Sequence, residues 1–436
     1  MKTPTAYQRE IATTVTSDVL DERGSVFTVE MPLGAGVNEL ASQLEMLVMS
    51  LNVNAGGALL RVVPGGQPDV RQRLVSHLRA GSLKGLWSDE SACVRLGRAQ
   101  VMYAAPDALE HIRGHFELIQ VVDAHLLHPT EVSRLQEVAG ASGATVVLYG
   151  RPWNGDTPFE RMKLANKEAA AAGGDRKHFR VPLERAEAEL PGYAARVEAE
   201  RERLGDVHPE FETAYALRPV SLGSPAFPRE RLRDLFGAGG PRRLAVADRL
   251  MASIVVTRAA GAVDSPATAV VTVASRTAGG LRVLDHKWAE AADEAILVAG
   301  LKRFVERTWP CESVLVRVRT SHGSDKVRRL LEQSLQQGHV RWVPETARQG
   351  ERESSAVIAA ALTERLALYA VDGSPEYRAL RRELEWAVLR IGEGRGISVA
   401  VEGQDEGFLE GISMLASEDA EQAGEQQMAF PMAMAS

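Results

Sequence analysis

A glycine-bearing turn between a short β-branched run and a helical stretch constrains this chain more than any other feature. Ser25-Val26-Phe27-Thr28-Val29-Glu30 passes through Met31-Pro32-Leu33-Gly34-Ala35-Gly36 into Val37-Asn38 and a helical stretch over Glu39–Leu51. Strand, Gly-rich loop and helix in that order make a cradle at a helix N-terminus, where free N–H groups and the helix dipole attract an anion. Further strands are expected at Ala58–Val63, Ala99–Tyr103, Glu117–Asp123 and Ala144–Tyr149. These runs are apolar throughout rather than alternating, as parallel strands covered on both faces must be. An α/β domain is expected over residues 1–160.

The following stretch, 161–217, is rich in Ala, Glu, Arg and Lys at helical spacing and reads as a helical appendage. The Pro/Gly-punctuated segment 218–248 reads as a linker. A second unit follows over 249–416. Ala252–Thr257, Ala267–Ala274 and Leu281–Trp288 read as a three-strand meander. A helix at Asp293–Val305, a strand at Ser313–Val318 and helices at Lys326–Gln337 and Glu353–Thr363 complete the order expected of an RNase H-like fold. Residues 417–436 carry no apolar period and read as a disordered tail.

Composition narrows the function. Lys plus Arg number 51 against 58 Asp plus Glu, a net charge of -7, which argues against coating nucleic acid by bulk charge and makes any DNA contact local. Cys93 and Cys311 cannot make a disulfide framework or a zinc site. No apolar run approaches the roughly 20 residues of a membrane helix, so no membrane partner is expected and the cytoplasm is the expected compartment. His125 with His128, and His111 with His115, are spaced for one helical turn but lack a third ligand, so no metal site is assigned. Glu198-Ala199-Glu200-Arg201-Glu202-Arg203 reads as a solvated helix face, and Met428, Met432 and Met434 as part of the tail.

The glycine turn admits two readings. A working phosphate loop follows its last Gly with Lys and Ser or Thr, whereas Val37 and Asn38 stand here; the turn is either structural or a phosphate site without its usual cation. Leu118-Ile119-Gln120-Val121-Val122-Asp123 has the form of a Walker B strand with a single acid at its end, and Asp123 as a plain strand-end cap fits equally.

Taken together, Pro4–Ile11, Phe27–Pro32, Asn38-Glu39-Leu40, Val94–Ala99 and Val147–Gly150 resemble the ATPase domain of tailed-phage large terminases. Leu284–Trp288 and Leu368–Tyr377 through Glu385-Trp386-Ala387 are similar to the nuclease domain of the same proteins. The resemblance covers the chain to about residue 416. It implies a P-loop ATPase domain followed by an RNase H-like two-metal nuclease domain, acting on double-stranded DNA at a portal ring.

Carried over residue by residue, the resemblance places Gln8 at the adenine-reading position and Gly34, Gly36, Val37 and Asn38 in the nucleotide loop, with Val37 at the Lys and Leu33 at the Arg. Val122 falls at the magnesium Asp and Asp123 at the catalytic Glu. Arg151 takes the place of a small hydroxyl residue after Tyr149-Gly150. In the nuclease half Arg258 and Arg317 fall where metal-binding acids belong, and Asp405 or Glu406 is the surviving acid. Two guanidiniums would repel the divalent ions of two-metal cleavage. The expectation is a pseudoenzyme, with ATP and Mg as cofactors only if the altered loop still binds them. Arg258, Arg317 and Arg319 either neutralise a DNA phosphate or pair with Asp264, Asp405 or Glu406. The implied partners are duplex DNA, portal or capsid proteins and an active terminase subunit, in a bacterial host cell. The alternatives are an active packaging motor and a structural component of a capsid-like particle.

Overall fold

The turn after Glu30 separates a strand from a helix as its residues dictate, and one sheet is built around that strand. The computed structural model describes residues 3–63, 69–81, 85–90, 93–152, 157–237, 249–258, 266–277, 279–319, 324–335, 340–369, 373–392, 396–403 and 405–429. Two compact units are formed, Met1–Ala199 with Phe211–Val220 and Glu200–Glu210 with Ser221–Ser436.

The elements of the first half are α1 (Ala6–Leu20), β1 (Val26–Glu30), α2 (Val37–Leu51), β2 (Ala58–Val62), α3 (Asp69–Ala80), β3 (Trp87–Asp89), β4 (Cys93–Leu96), β5 (Ala99–Ala104), β6 (Leu118–Val121), α4 (Pro129–Ser142), β7 (Thr145–Gly150), α5 (Pro158–Ala171), β8 (His178–Arg180), α6 (Leu183–Glu189), α7 (Tyr193–Leu204) and α8 (Pro209–Ala214). They form an eight-stranded sheet in the order β3-β4-β5-β2-β6-β7-β1-β8. From β5 onward in that order the strands are parallel, and β4 and β3 extend the edge antiparallel. One face buries Leu60, Val62, Ile119, Val121, Val146 and Leu148, and the expectation of wholly apolar strands fails at Arg61 and Gln120, which are buried on the other face. Because β1 and β6 both pair in parallel with β7, the turn after β1 and Asp123 after β6 emerge at the same end of the sheet.

The other face of the strands carries a polar centre. Arg61 on β2 is fully buried and donates to Glu45 of α2 at 3.1 Å and to Asn38 at 2.9 Å. Gln120 donates to the Ala41 carbonyl and accepts from the Tyr149 hydroxyl at 2.8 Å. Burial raises the Glu45 carboxyl against the pull of Arg61, and the Tyr103 hydroxyl closes the group from β5.

The expected helical appendage differs in one respect: it supplies a strand to the first sheet. His178-Phe179-Arg180 pairs in parallel with β1 through Thr28, Val29 and Glu30. Its three residues lie between Ala-rich helix and charged sequence, too short a run for any period to show.

The second unit contains α9 (Arg229–Gly237), β9 (Arg249–Arg258), β10 (Ala267–Thr277), β11 (Gly280–Ala291), α10 (Glu294–Arg303), β12 (Ser313–Val318), α11 (Ser324–Ser334), β13 (Val340–Trp342), α12 (Ala347–Leu362), β14 (Leu366–Ala367), α13 (Pro375–Glu385), β15 (Ala387–Ile391), β16 (Ile397–Val401) and α14 (Phe408–Ala429). Six strands in the order β13-β12-β9-β10-β11-β14 make its sheet, with β9, β10 and β11 an antiparallel meander and β12 and β13 parallel to β9. This is the RNase H-like order. Helix α14 approaches the sheet at Gly411, where an added Cβ would stand 2.7 Å from Thr272 Oγ1 and 2.9 Å from Ser253 Oγ.

Two boundaries differ from the sequence reading. The linker expected over 218–248 holds α9, with Leu232 and Leu235 buried, and its remainder over 238–248 lies outside the described residues. The expected tail at 417 instead continues α14 to Ala429: Glu418 and Asp419 are buried, and Asp419 pairs with Arg276 at 2.9 Å and Arg365 at 3.0 Å. Those partners are remote in sequence, so local composition could not show them. The side chain of Met428, and residues Met432 and Met434, lie outside the described residues.

The β8 strand also confers acid sensitivity. His178 Nδ1 lies 3.1 Å from Thr28 Oγ1, and burial, aided by the charges of Lys167, Lys163, Arg176 and Arg180, lowers the imidazole from 6.5 to about 4. Between those values the unfolded chain binds a proton that the folded chain refuses, so this contribution is complete above the unfolded pKa and is lost as pH falls toward 4. Thermal unfolding across this window is expected to show His178→Gln with a flatter stability profile than the unaltered chain.

Candidate functional site

In the first unit, Gly34 and Gly36 adopt φ of 76° and 96°, a left-handed conformation that side chains resist, and Gly36 is the N-cap of α2. From β1 the loop turns over the end of the sheet, with the Ala35 N–H donating to the Pro32 carbonyl at 2.9 Å. The Tyr7 hydroxyl donates to the Ala35 carbonyl at 2.7 Å, and Gln8 Nε2 to the Gly36 carbonyl at 3.4 Å. Gln8 Oε1 also accepts the Thr5 N–H, completing a capping box, so it fastens α1 and the loop together.

Gln8, Gly34 and Gly36 line a cleft of about 900 Å³ with Asn38, Glu39, Val122, Asp123, Tyr149 and Glu189. Val122 is buried; Asp123 has φ 50° and lies 4.0 Å from Arg151 at the loosest limit of an ion pair. His125 behind it is buried, and that burial, with Arg151 nearby, holds the imidazole well below its usual value. His128 caps α4 through Thr130 and so serves structure.

Cations reach the cleft from elsewhere in the chain. Arg73 on α3 lies 3.8 Å from Glu39, and Arg196 on α7 places its guanidinium directly over Gly34. Arg196 donates to the Leu33 carbonyl at 3.3 Å and lies 5.0 Å from the Tyr193 ring centroid. Among the described residues it has no carboxylate partner. No local signal in the sequence marks Arg73 or Arg196; both are ordinary helix residues until the fold brings them to the loop.

In the second unit, β12 runs beside β9, with Arg317 opposite Val255. The Arg317 guanidinium is buried and grips Glu353 of α12 with two hydrogen bonds of 2.8 and 2.6 Å. It donates also to Glu410 of α14 at 3.0 Å. Arg319 donates to Glu410 at 2.7 Å and to Asp405 at 2.9 Å. Although burial works against the charge, Glu353 and Glu410 keep Arg317 above its ordinary value. These residues border a pocket of about 430 Å³. Among the described residues no group of three His, Cys, Asp or Glu side chains is placed to hold a metal ion.

Of the two readings of Arg317 and Arg319, contact with a phosphate or pairing with acids, the structure has acids at both guanidiniums: Arg319 meets Asp405, one of the expected partners, and Glu410, whereas Arg317 meets Glu353 and Glu410. Asp405 lines the pocket, whereas Glu406 pairs with Arg382 at 2.9 Å. Glu383 caps the start of α14, accepting from the N–H groups of Glu406, Gly407 and Leu409, and burial pushes its carboxyl up to about 7. Glu353 and Glu410 were not singled out in the sequence, since each looks like one more acid on a charged helix. The Arg258 side chain and Asp264 lie outside the described residues.

No family model and no curated protein matches the sequence. Solved structures do. The large terminase of a thermophilic bacteriophage superposes with a TM-score of 0.64 at 12% identity, covering 96% of this chain and 99% of that one. The fold is that of a phage large terminase. The same phage terminase in complex with ADP gives a TM-score of 0.60 at 12% identity over 94% of this chain and 98% of that chain. Its ATP-γ-S complex gives 0.59 at 13% identity, with 95% and 98% covered. Within the terminase fold, Arg317 on β12 and Arg319 just after it are held by acids of α12 and α14.

Removing one partner of a buried ion pair leaves the other charge stranded. Arg317→Ala is expected to destabilise the second unit by about 3–5 kcal/mol. The double variant Arg317→Met/Glu353→Met is expected to recover most of that loss. Denaturant unfolding of the two variants tests both statements.

Proposed function

We propose that this chain is a large-terminase-like component of a phage or prophage DNA-packaging system that does not cut DNA and does not turn over ATP. The observation that carries the reading is the closed cluster of Arg317, Arg319, Glu353, Glu410 and Asp405. A two-metal nuclease needs carboxylates that converge on divalent ions, and here the convergent carboxylates already hold guanidiniums. In the first unit Val37 and Val122 supply neither charge nor oxygen, which leaves Asp123 alone to manage magnesium and water.

The terminase fold is the support for naming duplex DNA, a portal or capsid protein, or an active terminase subunit as the partner, in the cytoplasm of a bacterial host. Among the described residues no helix is long and apolar enough to cross a membrane. ATP and magnesium belong to the reading only as ligands of the altered loop. An active packaging motor is the second reading, and Arg196 is the observation that favours it, since it brings a cation to a loop without lysine.

Phosphate release from magnesium-ATP, with and without linear duplex DNA, is expected to stay at the level of a control without protein. Supercoiled plasmid is expected to remain intact with magnesium or manganese. Turnover abolished by Asp123→Ala would establish the motor instead, and linearised plasmid would overturn the account of the second unit.

A further inference from the structure

The cleft of the first unit has the ingredients of an anion site and lacks those of a magnesium site. Its acids are Glu39, Asp123 and Glu189. Glu39 is engaged by His77 at 3.1 Å and Arg73 at 3.8 Å. Glu189 accepts from the Ala6 and Tyr7 N–H groups at the start of α1 and from Arg185 at 2.9 Å. Asp123 faces Arg151. Asn38 accepts the buried Arg61 guanidinium at 2.9 Å on its oxygen, so a divalent ion at that oxygen would be placed against a fixed positive charge.

Against these stand Arg73, Arg151 and Arg196, with Arg196 lying over the glycine turn. A guanidinium offers two parallel donors that match two oxygens of a phosphate, a geometry that requires no metal as bridge. The first turn of α2 adds backbone N–H groups and the positive end of its dipole. Resting on the reading of this cleft as a nucleotide site, we propose that it binds a nucleoside polyphosphate without magnesium, with Arg196 as the cation that engages the phosphates.

The contacts of Arg196 make it available for that role. It stacks on Tyr193, whose hydroxyl is fixed to the Leu33 carbonyl at 2.8 Å, and its own hydrogen bond is to that same neutral carbonyl at 3.3 Å. A phosphate arriving above Gly34 therefore replaces a neutral acceptor with a charged one, the stronger partner for a guanidinium.

The test titrates ADP and ATP into the full chain by calorimetry, once in excess EDTA and once in magnesium. Comparable affinity in both buffers is expected, with a loss of about 10- to 100-fold for Arg196→Ala, as for one charged hydrogen-bonding partner. Arg196→Lys is expected to retain part of the binding, and an unchanged melting temperature for both variants separates ligand contact from folding. Binding that requires magnesium and ignores Arg196→Ala would overturn the inference while leaving the nucleotide cleft in place. Binding in EDTA that Arg196→Ala leaves intact would remove Arg196 from the site. No binding in either buffer would overturn the nucleotide reading of the cleft along with the inference.

Discussion

Each unit is organised around a buried arginine facing a buried glutamate. Removing a charge from water costs several kcal/mol unless a partner and hydrogen bonds replace the solvent, so such a pair dictates where the elements carrying it must sit. In the first unit Arg61 draws β2 against α2 through Glu45 and reaches Asn38 at the phosphate-type loop. Gln120 and Tyr149 extend the same network to β6 and β7. In the second unit Arg317 holds β12 to α12 and α14 at once. The start of α2 in the first unit and the ion-pair cluster of the second are both held by these charges.

On the proposed reading the two units share a substitution of chemistry. The positions that would carry a lysine, or acids around metal ions, hold aliphatic side chains or guanidiniums, while the apolar residues of the described strands and helices form buried cores. Unselected decay would damage cores as readily as sites, because buried substitutions are the ones that unfold proteins. The coherent core is what the proposed reading of a folded, non-catalytic component requires. Guanidiniums suit that role, for they remain charged, form fixed planar hydrogen bonds and need no ion to meet a carboxylate or phosphate.

Much of the architecture could be read from local pattern. The runs at β1, β2, β5, β6 and β7 announce a covered parallel sheet, and the meander of β9 to β11 followed by β12 announces the second fold. Features whose support lies far off in the sequence were not legible. β8 is three residues that become a strand only because β1 has an open edge beside it. The end of α14 has no apolar period, yet it is ordered by Arg276 and Arg365 gripping Asp419. Gly34, Gly36 and Asn38 were identifiable as neighbours because strand, loop and helix follow one another directly, and Asp123 because it ends an apolar strand of the same sheet. Arg73 and Arg196 lie on separate helices, and Glu353 and Glu410 look like solvated acids until packing buries them.

The sequence alone determined most element types, the order of the two folds, the absence of lysine from the glycine loop and the single acid, Asp123, at the strand end, since these depend on residue identity and short-range period. Tertiary structure alone decided which charges meet. Whether Arg317 faces a phosphate or a glutamate depends on the packing of α12 and α14 over β12, and whether the loop has a cation depends on where α7 carries Arg196. Electrostatic partners are chosen by distance in space and by burial, and neither quantity is written in any single stretch of chain.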